Sequence, residues 1–362
     1  MPTPMYVPVL KAKAAEIAAL QSLPPGTQDV LPLFEVQAVL PTKRKADGTW
    51  DKHKSAPAEV TSFLDLIQMH WNAPLMVDIS RVAAPTMRAA WWALLRATEV
   101  IRPTGAQLIP VVALDDPSDA ITAAAAMAAV VAGAAVRLPM PLKSTTLAAD
   151  LSGVAAQLGL PLASVAILID WGNGLDTTKT TTITLDDAER ATSAAIAALP
   201  SGHGPVATLG TPNTSKVQQA GYWTFTRREW WLWLRARSNL AGLWFGDYAL
   251  FAPSDPVQAS PQYGYLVYSS GDQVHIWREA RPAAKPTLGG AFKVCCQKAT
   301  SDPAFCGRPF SPADERIDDI ATGTVETRGD ARTWRAHALT HHFYLVRSQM
   351  ASPPPAPPAG TV

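Results

Sequence analysis

Short apolar runs alternate with longer segments whose apolar positions recur at helical spacing, and this rhythm persists from Tyr6 to Ala249. The apolar runs are Tyr6 to Leu10, Leu31 to Val36, Leu75 to Ile79, Leu108 to Leu114, Ala134 to Leu138, Val165 to Asp170, Val206 to Leu209 and Leu243 to Ala249. They have strand length and are rich in Val, Ile and Leu. The segments between them predict helices at Ala12 to Leu23, Pro57 to Trp71, Thr86 to Arg102, Ser118 to Val131, Ser144 to Leu158, Leu185 to Leu199 and Thr226 to Leu240. Punctuation agrees: Thr86 and Ser118 suit N-caps, Pro57 suits a first turn, and Gly105, Gly133 and Gly159 follow helix ends.

Strands that are apolar throughout are covered on both faces, and helical crossovers between them make the sheet parallel. Eight such units, with no G-x-G-x-x-G after the first strand, predict closure into a (β/α)8 TIM-like barrel rather than an open doubly wound sheet. After Pro253 the rhythm changes. Tyr263 to Ser269 and Gln273 to Arg278 flank Ser270-Gly271-Asp272, the turn chemistry of a β-hairpin. A helix follows over Pro312 to Thr322, then an amphipathic stretch around Trp334 to Val346. The expected organisation is a barrel core over 1–252, a hairpin and helical elaboration packed on it over 253–350, and a disordered Pro/Ala-rich tail over 351–362.

Composition narrows the function classes. With 48% hydrophobic and 17% charged residues the chain can build a large core and is not a disordered polymer. A net charge of +1 supplies no global field toward nucleic acid or an anionic membrane, so a charged ligand must be recognised locally. The most apolar window, Ala120 to Val136, is dominated by Ala and bracketed by Asp119 and Arg137, which reads as buried helix plus strand rather than a membrane span. The first residues carry no basic segment or long apolar stretch, and a cytoplasmic protein is expected. Cys295, Cys296 and Cys306 have neither the number nor the spacing of a zinc set or a disulfide framework, and read as reduced thiols.

Chemistry is expected at the C-terminal ends of the strands, the concave and variable rim of this fold. Those ends carry Lys11, Glu35, Asp78 with Arg81 beyond it, Asp115 and Asp116, Arg137, Asp170 and Asp247. Lys11, Glu35, Asp78 and Asp170 are the candidate catalytic groups, because opposite charges in one bowl shift one another's pKa as acid–base chemistry requires. Arg137 and Arg81 are candidates to bind substrate charge, and three carboxylates could alternatively hold Mg²⁺. Gly210, Thr211 and Asn213 lie in a hydroxyl-rich loop after the seventh strand, where barrels often bind phosphate.

Other features read more plainly. Lys43, Arg44, Lys45, Lys52, His53 and Lys54 form a solvated basic loop, or a lid that steers an anionic substrate. His341 and His342 are adjacent, so on a strand they would face opposite sides and serve one metal poorly; a structural or surface role is expected. Trp230, Trp231 and Trp233, after Arg227-Arg228-Glu229, have helical spacing that packing explains.

Tyr6-Val7-Pro8-Val9-Leu10-Lys11 with Lys13 and Glu16, and then Leu31-Pro32-Leu33-Phe34-Glu35, is similar to the bacterial and phage family called beta protein. The likeness continues at Arg228-Glu229-Trp230, Phe245-Gly246-Asp247-Tyr248, Trp334-Arg335 and His341-His342. The resemblance implies a role in phage–host conflict and no particular reaction. It adds Glu16, Arg228, Glu229 and Asp247 to the residues of interest, Arg228 and Asp247 as substrate contacts, while Arg228 and Glu229 also suit a helix-start ion pair.

Three functions compete. The first is an enzyme, a hydrolase or lyase, acting on a small anionic substrate that is phosphorylated or nucleotide-like. The second is a non-catalytic partner-binding protein whose barrel is a scaffold for contact with a phage or host protein. The third is pyridoxal phosphate chemistry, with Lys11 as Schiff-base lysine and Arg137 as pyridine partner; the rest of that pattern is missing.

Overall fold

The computed structural model describes residues 6–11, 13–36, 56–80, 84–101, 106–175, 183–211, 219–250, 263–283, 287–327, 330–358 and 360. Eight parallel strands close into a barrel: β1 (Tyr6–Leu10), β2 (Leu33–Glu35), β3 (Leu75–Asp78), β4 (Leu108–Ala113), β5 (Ala134–Pro139), β6 (Val165–Asp170), β7 (Val206–Gly210) and β9 (Trp244–Asp247). Around it run α1 (Ala14–Gln21), α2 (Ala56–His70), α3 (Arg88–Ile101), α4 (Ser118–Val131), α5 (Leu147–Gln157), α6 (Leu185–Ala197) and α7 (Arg228–Ala236). The barrel closes where β1 pairs with β9, Tyr6 opposite Phe245.

Because strand side chains alternate, each strand feeds two cores. One set points into the barrel, including Val7, Val9, Leu33, Met76, Val111, Leu168 and Leu209, and forms a packed apolar plug. The alternate set, including Tyr6, Phe34, Val77, Val136, Ile167 and Phe245, joins the helices in an outer core. This double burial is why the strands read as continuous apolar runs.

The cap assignments need correction. Pro117 occupies the N-cap of α4 and Ser118 is its first helical residue. Thr86 lies in a 3-10 turn, Pro85–Met87, ahead of α3. The helix expected from Thr226 also starts later, because Gly221–Thr226 is a strand, β8. Its Tyr-Trp-Thr-Phe-Thr run has the aromatic and β-branched content of a strand, and pairing decides it.

β8 belongs to a second, antiparallel sheet with β10 (Tyr263–Ser270) and β11 (Gln273–Ala280), in the order β10-β11-β8. Gly271, at φ +56°, makes the predicted tight turn between β10 and β11. The sheet packs on α8 (Leu288–Thr300) and α9 (Pro312–Thr322), with Tyr268, Trp277, Phe292 and Ile317 in their shared core. The last helix, α10 (Ala331–Ala351), returns to the barrel. Phe343 meets the ring of Tyr6 at 6.0 Å, and Arg347 donates to Asp29 at 2.9 Å. α10 thereby covers the β1–β9 seam, where the eighth helix of a barrel sits. Residues 353–358 continue without helix or strand, and the carbonyls of Pro357 and Pro358 accept hydrogen bonds from Arg235.

Candidate functional site

Following the inward stripe of each strand to its C-terminal end builds the site. Val7 and Val9 lead to Lys11, Leu31 and Leu33 to Glu35, Met76 to Asp78, Ala135 to Arg137, Ala166 and Leu168 to Asp170, and Trp244 to Tyr248. All six of these polar residues are buried, and they cap the apolar plug. Register places them side by side: Glu35 pairs with Asp78, and one step beyond Leu10–Phe34 sets Lys11 beside Glu35.

Arg137 is the hub. Its Nε donates to Asp170 Oδ2 at 2.7 Å, one Nη to Asp78, and the other to Glu35 Oε1 at 2.9 Å and to the Tyr248 hydroxyl. Tyr248 donates in turn to Asp170 Oδ2 at 2.9 Å. Backbone donors fix the outer carboxylate oxygens: Ser80 N reaches Asp78 and Gly172 N reaches Asp170. Burial opposes the Arg137 charge, but Asp170, Tyr248, Asp78 and Glu35 outweigh it and raise its pKa. Burial, with Asp170 and Glu35, raises the Tyr248 pKa against the pull of Arg137, so the hydroxyl stays protonated. The guanidinium is thus committed to three carboxylates, and its fork orients them.

Lys11 stands at the edge of this cluster, 8% exposed. Burial, the neighbouring Arg335 and Lys13 lower its pKa to about 8, against the attraction of Glu16 and Glu35. Its backbone is pinned from below. Glu16 Oε2 accepts from Lys11 N at 2.7 Å and from Lys13 N at 3.1 Å, while Glu16 Oε1 accepts from Arg335 of α10 at 2.6 Å. The buried Glu16 therefore caps α1 and ties the first βα turn to the last helix.

The sequence matches the family described as Beta protein over residues 6–347. The chain belongs to the Beta protein family. No curated protein matches it.

The residues that carried the resemblance to the Beta protein family do not all gather at the mouth. Asp247 lies on the outward face of β9, fully buried, where Tyr6 donates to Oδ1 at 2.9 Å and His342 Nε2 to Oδ2 at 2.7 Å. Burial works against its charge, yet the His342 hydrogen bond, Arg227 and the Ala249 N–H outweigh it and lower the Asp247 pKa. Burial lowers the His342 pKa in spite of Asp247, so the neutral ring donates at Nε2 and accepts at Nδ1 from Ser269 Oγ, 2.9 Å away. Ser269, His342 and Asp247 have the connectivity of a hydrolytic triad, but all three are fully buried, and they act as a structural lock.

Its neighbours also brace the structure. Both histidines lie on α10 rather than a strand, and His341 bridges Asp314 at 2.9 Å and the Ser269 carbonyl at 2.7 Å. Arg228 donates to the carbonyls of Leu175 at 2.8 Å and Ile183 at 3.1 Å, on either side of the stretch that follows β6. At the start of α7 the partner of Glu229 is Arg227, whose Nε donates to Oε1 at 3.4 Å, rather than Arg228. Burial and nearby Asp247 push Glu229 up to about 8 against the opposing Arg227, so it carries a proton at neutral pH. Gly210 faces α7, where an added Cβ would come within 2.9 Å of Glu229 Cβ. Trp230, Trp231 and Trp233 are buried, as packing requires.

Thr211 is buried at the end of the β7 stripe, its N–H bonded to the Gly172 carbonyl at 3.1 Å. Asp116 closes the turn after β4, accepting from Ala113 N at 2.8 Å. Arg81, Asn213 and the basic loop of Lys43, Arg44, Lys45, Lys52, His53 and Lys54 lie outside the described residues. Among the described residues no group of three or more His, Cys, Asp or Glu side chains could hold a metal ion. Arg137 occupies the space between the carboxylates expected to bind Mg²⁺, so those residues do not fit the ion. No helix among the described residues is long and apolar enough to cross a membrane.

Nothing in the sequence sets Tyr248 apart beyond its place in Phe245-Gly246-Asp247-Tyr248. Its strand is apolar on both faces, so alternation alone does not say whether Asp247 or Tyr248 points inward. Closure against β1 settles it.

Proposed function

We propose that the chain is an enzyme that binds a small anionic substrate at the barrel mouth. Lys11 meets the substrate's charge, and a carboxylate of the Arg137 cluster, Asp170 foremost, exchanges a proton with it. One observation carries this reading: buried Lys11, Glu35, Asp78, Arg137, Asp170 and Tyr248 converge above an apolar plug. Apolar layers already fill the barrel, and burying ionised groups costs several kcal/mol each before pairing, on the order given for buried ions. Stability alone gives little reason for such a cluster, whereas acid–base chemistry uses one. Saturation of Arg137 by carboxylates leaves the anion-binding part to Lys11, with Lys13 and Arg335 beside it.

The test is a thermal-shift screen of the full chain against sugar phosphates and nucleotides, since a ligand of the folded state raises its melting temperature by mass action. A hit that disappears in both Lys11→Ala and Asp170→Asn, with each variant folded, supports the reading. A panel without hits overturns it in favour of the partner-binding scaffold.

A further inference from the structure

The mouth cluster contains one group that proton exchange does not use as such: the amine of Lys11. It follows β1 directly, lies in the inward stripe after Val7 and Val9, and is set by register next to Glu35. Its backbone N–H is fixed by the buried Glu16 carboxylate, which also holds Arg335, so the lysine stem leaves the barrel wall from a rigid point. Two further cations, Lys13 and Arg335, act on the same ammonium. Burial beside these cations brings the neutral, nucleophilic amine within reach near neutral pH alongside the ammonium that attracts an anion, so Lys11 can do more than hold charge.

We infer that Lys11 is a covalent nucleophile, forming an imine with a small aldehyde or ketone that carries a carboxylate or phosphate. This rests on the proposed small-molecule site and names its substrate class. In the step, Lys11 Nζ adds its lone pair to the carbonyl carbon and one amine hydrogen passes as a proton to the carbonyl oxygen. The carbinolamine then loses that oxygen as water with the amine's second hydrogen, leaving a C=N bond that is protonated from solvent. No oxidant or reductant is consumed. Glu35, on the neighbouring strand, is placed to stabilise the resulting iminium cation. Lys13 and Arg335 are placed to meet the anionic group of the substrate.

The experiment treats the intact protein with pyruvate or glyceraldehyde 3-phosphate and sodium cyanoborohydride at pH 7.5, then maps adducts by peptide mass spectrometry. Cyanoborohydride, the added reductant, delivers hydride to the C=N carbon and leaves a stable secondary amine. With a pKa of about 8 a sizeable share of Lys11 is neutral at this pH, and it is expected to label at least about tenfold faster than the exposed Lys298, whose ammonium pairs with Glu279. Labelling of Lys11 should reach half its high-pH rate at about 8 and fall steeply below that. The Lys11→Arg variant, which keeps the charge, should lose this adduct while the rest of the map is unchanged. Labelling of Lys11 no faster than that of Lys298 overturns the inference. If thermal-shift hits persist in that case, the anion site stands and only its covalent chemistry falls; if hits are absent too, both readings fall.

Discussion

His342 on α10 holds Asp247 on β9 through Nε2 at 2.7 Å, and through Nδ1 it reaches Ser269 on β10. One imidazole thereby joins the last barrel strand, the last helix and the added sheet, one residue away from Tyr248 at the mouth. Removing it in His342→Ala leaves the buried Asp247 carboxylate short of a donor. A loss of about 3 kcal/mol is expected, the scale for breaking a buried hydrogen-bonded charge, measured by urea unfolding.

The same residue gives a pH signature. The folded-state pKa of His342 lies below its ordinary 6.5, so the unfolded chain binds the proton more readily. Its contribution to stability is complete above 6.5 and is lost as pH falls through the depressed value. Unfolding curves recorded downward from pH 7 should show this slope reduced in His342→Ala.

Glu229 acts in the opposite direction. Its pKa rises from 4.5 to about 8 on folding, so the native state binds more protons in between. Stability from this group is complete below 4.5 and falls as pH rises through about 8. Glu229→Gln, which keeps the shape without the charge, should flatten the pH dependence of unfolding between those limits and stabilise the protein at pH 9.

Arg137 is expected to be the most sensitive residue of the mouth. Arg137→Met strands three buried carboxylates and should cost about 3–5 kcal/mol or prevent folding. Arg137→Lys should not rescue it, because a point-like ammonium cannot replace a planar fork that reaches Glu35, Asp78 and Asp170 together. Chemical denaturation of both variants decides this; near-wild-type stability for Arg137→Lys would show that charge alone suffices.

Two glycines test close packing against conformational freedom. A Cβ on Gly264 of β10 would lie 2.5 Å from the backbone carbon of Ala291 in α8, so Gly264→Ala should cost about 1–3 kcal/mol as an overpacked site. Gly153, inside α5, has nothing within 4 Å of such a Cβ, and Gly153→Ala should stabilise by about 0.5–1 kcal/mol. Paired thermal unfolding scans compare the two.

Sequence alone determined the barrel, because its signals are local. Runs apolar on both faces, spaced by helical crossovers, mark each strand to within about two residues, as with Val165–Asp170, and the polar residues Lys11, Glu35, Asp78 and Asp170 announce themselves where each run meets water. Only the tertiary structure decided the rest. It turned Asp247 outward and Tyr248 inward, engaged Arg137 with three carboxylates, drew Gly221–Thr226 into the second sheet, and set Glu16 against Arg335 and Asp247 against His342. Each of these depends on which distant surfaces meet. Alternation gives a strand two faces, but closure of the barrel and the return of α10 choose which face becomes the mouth and which becomes the lock.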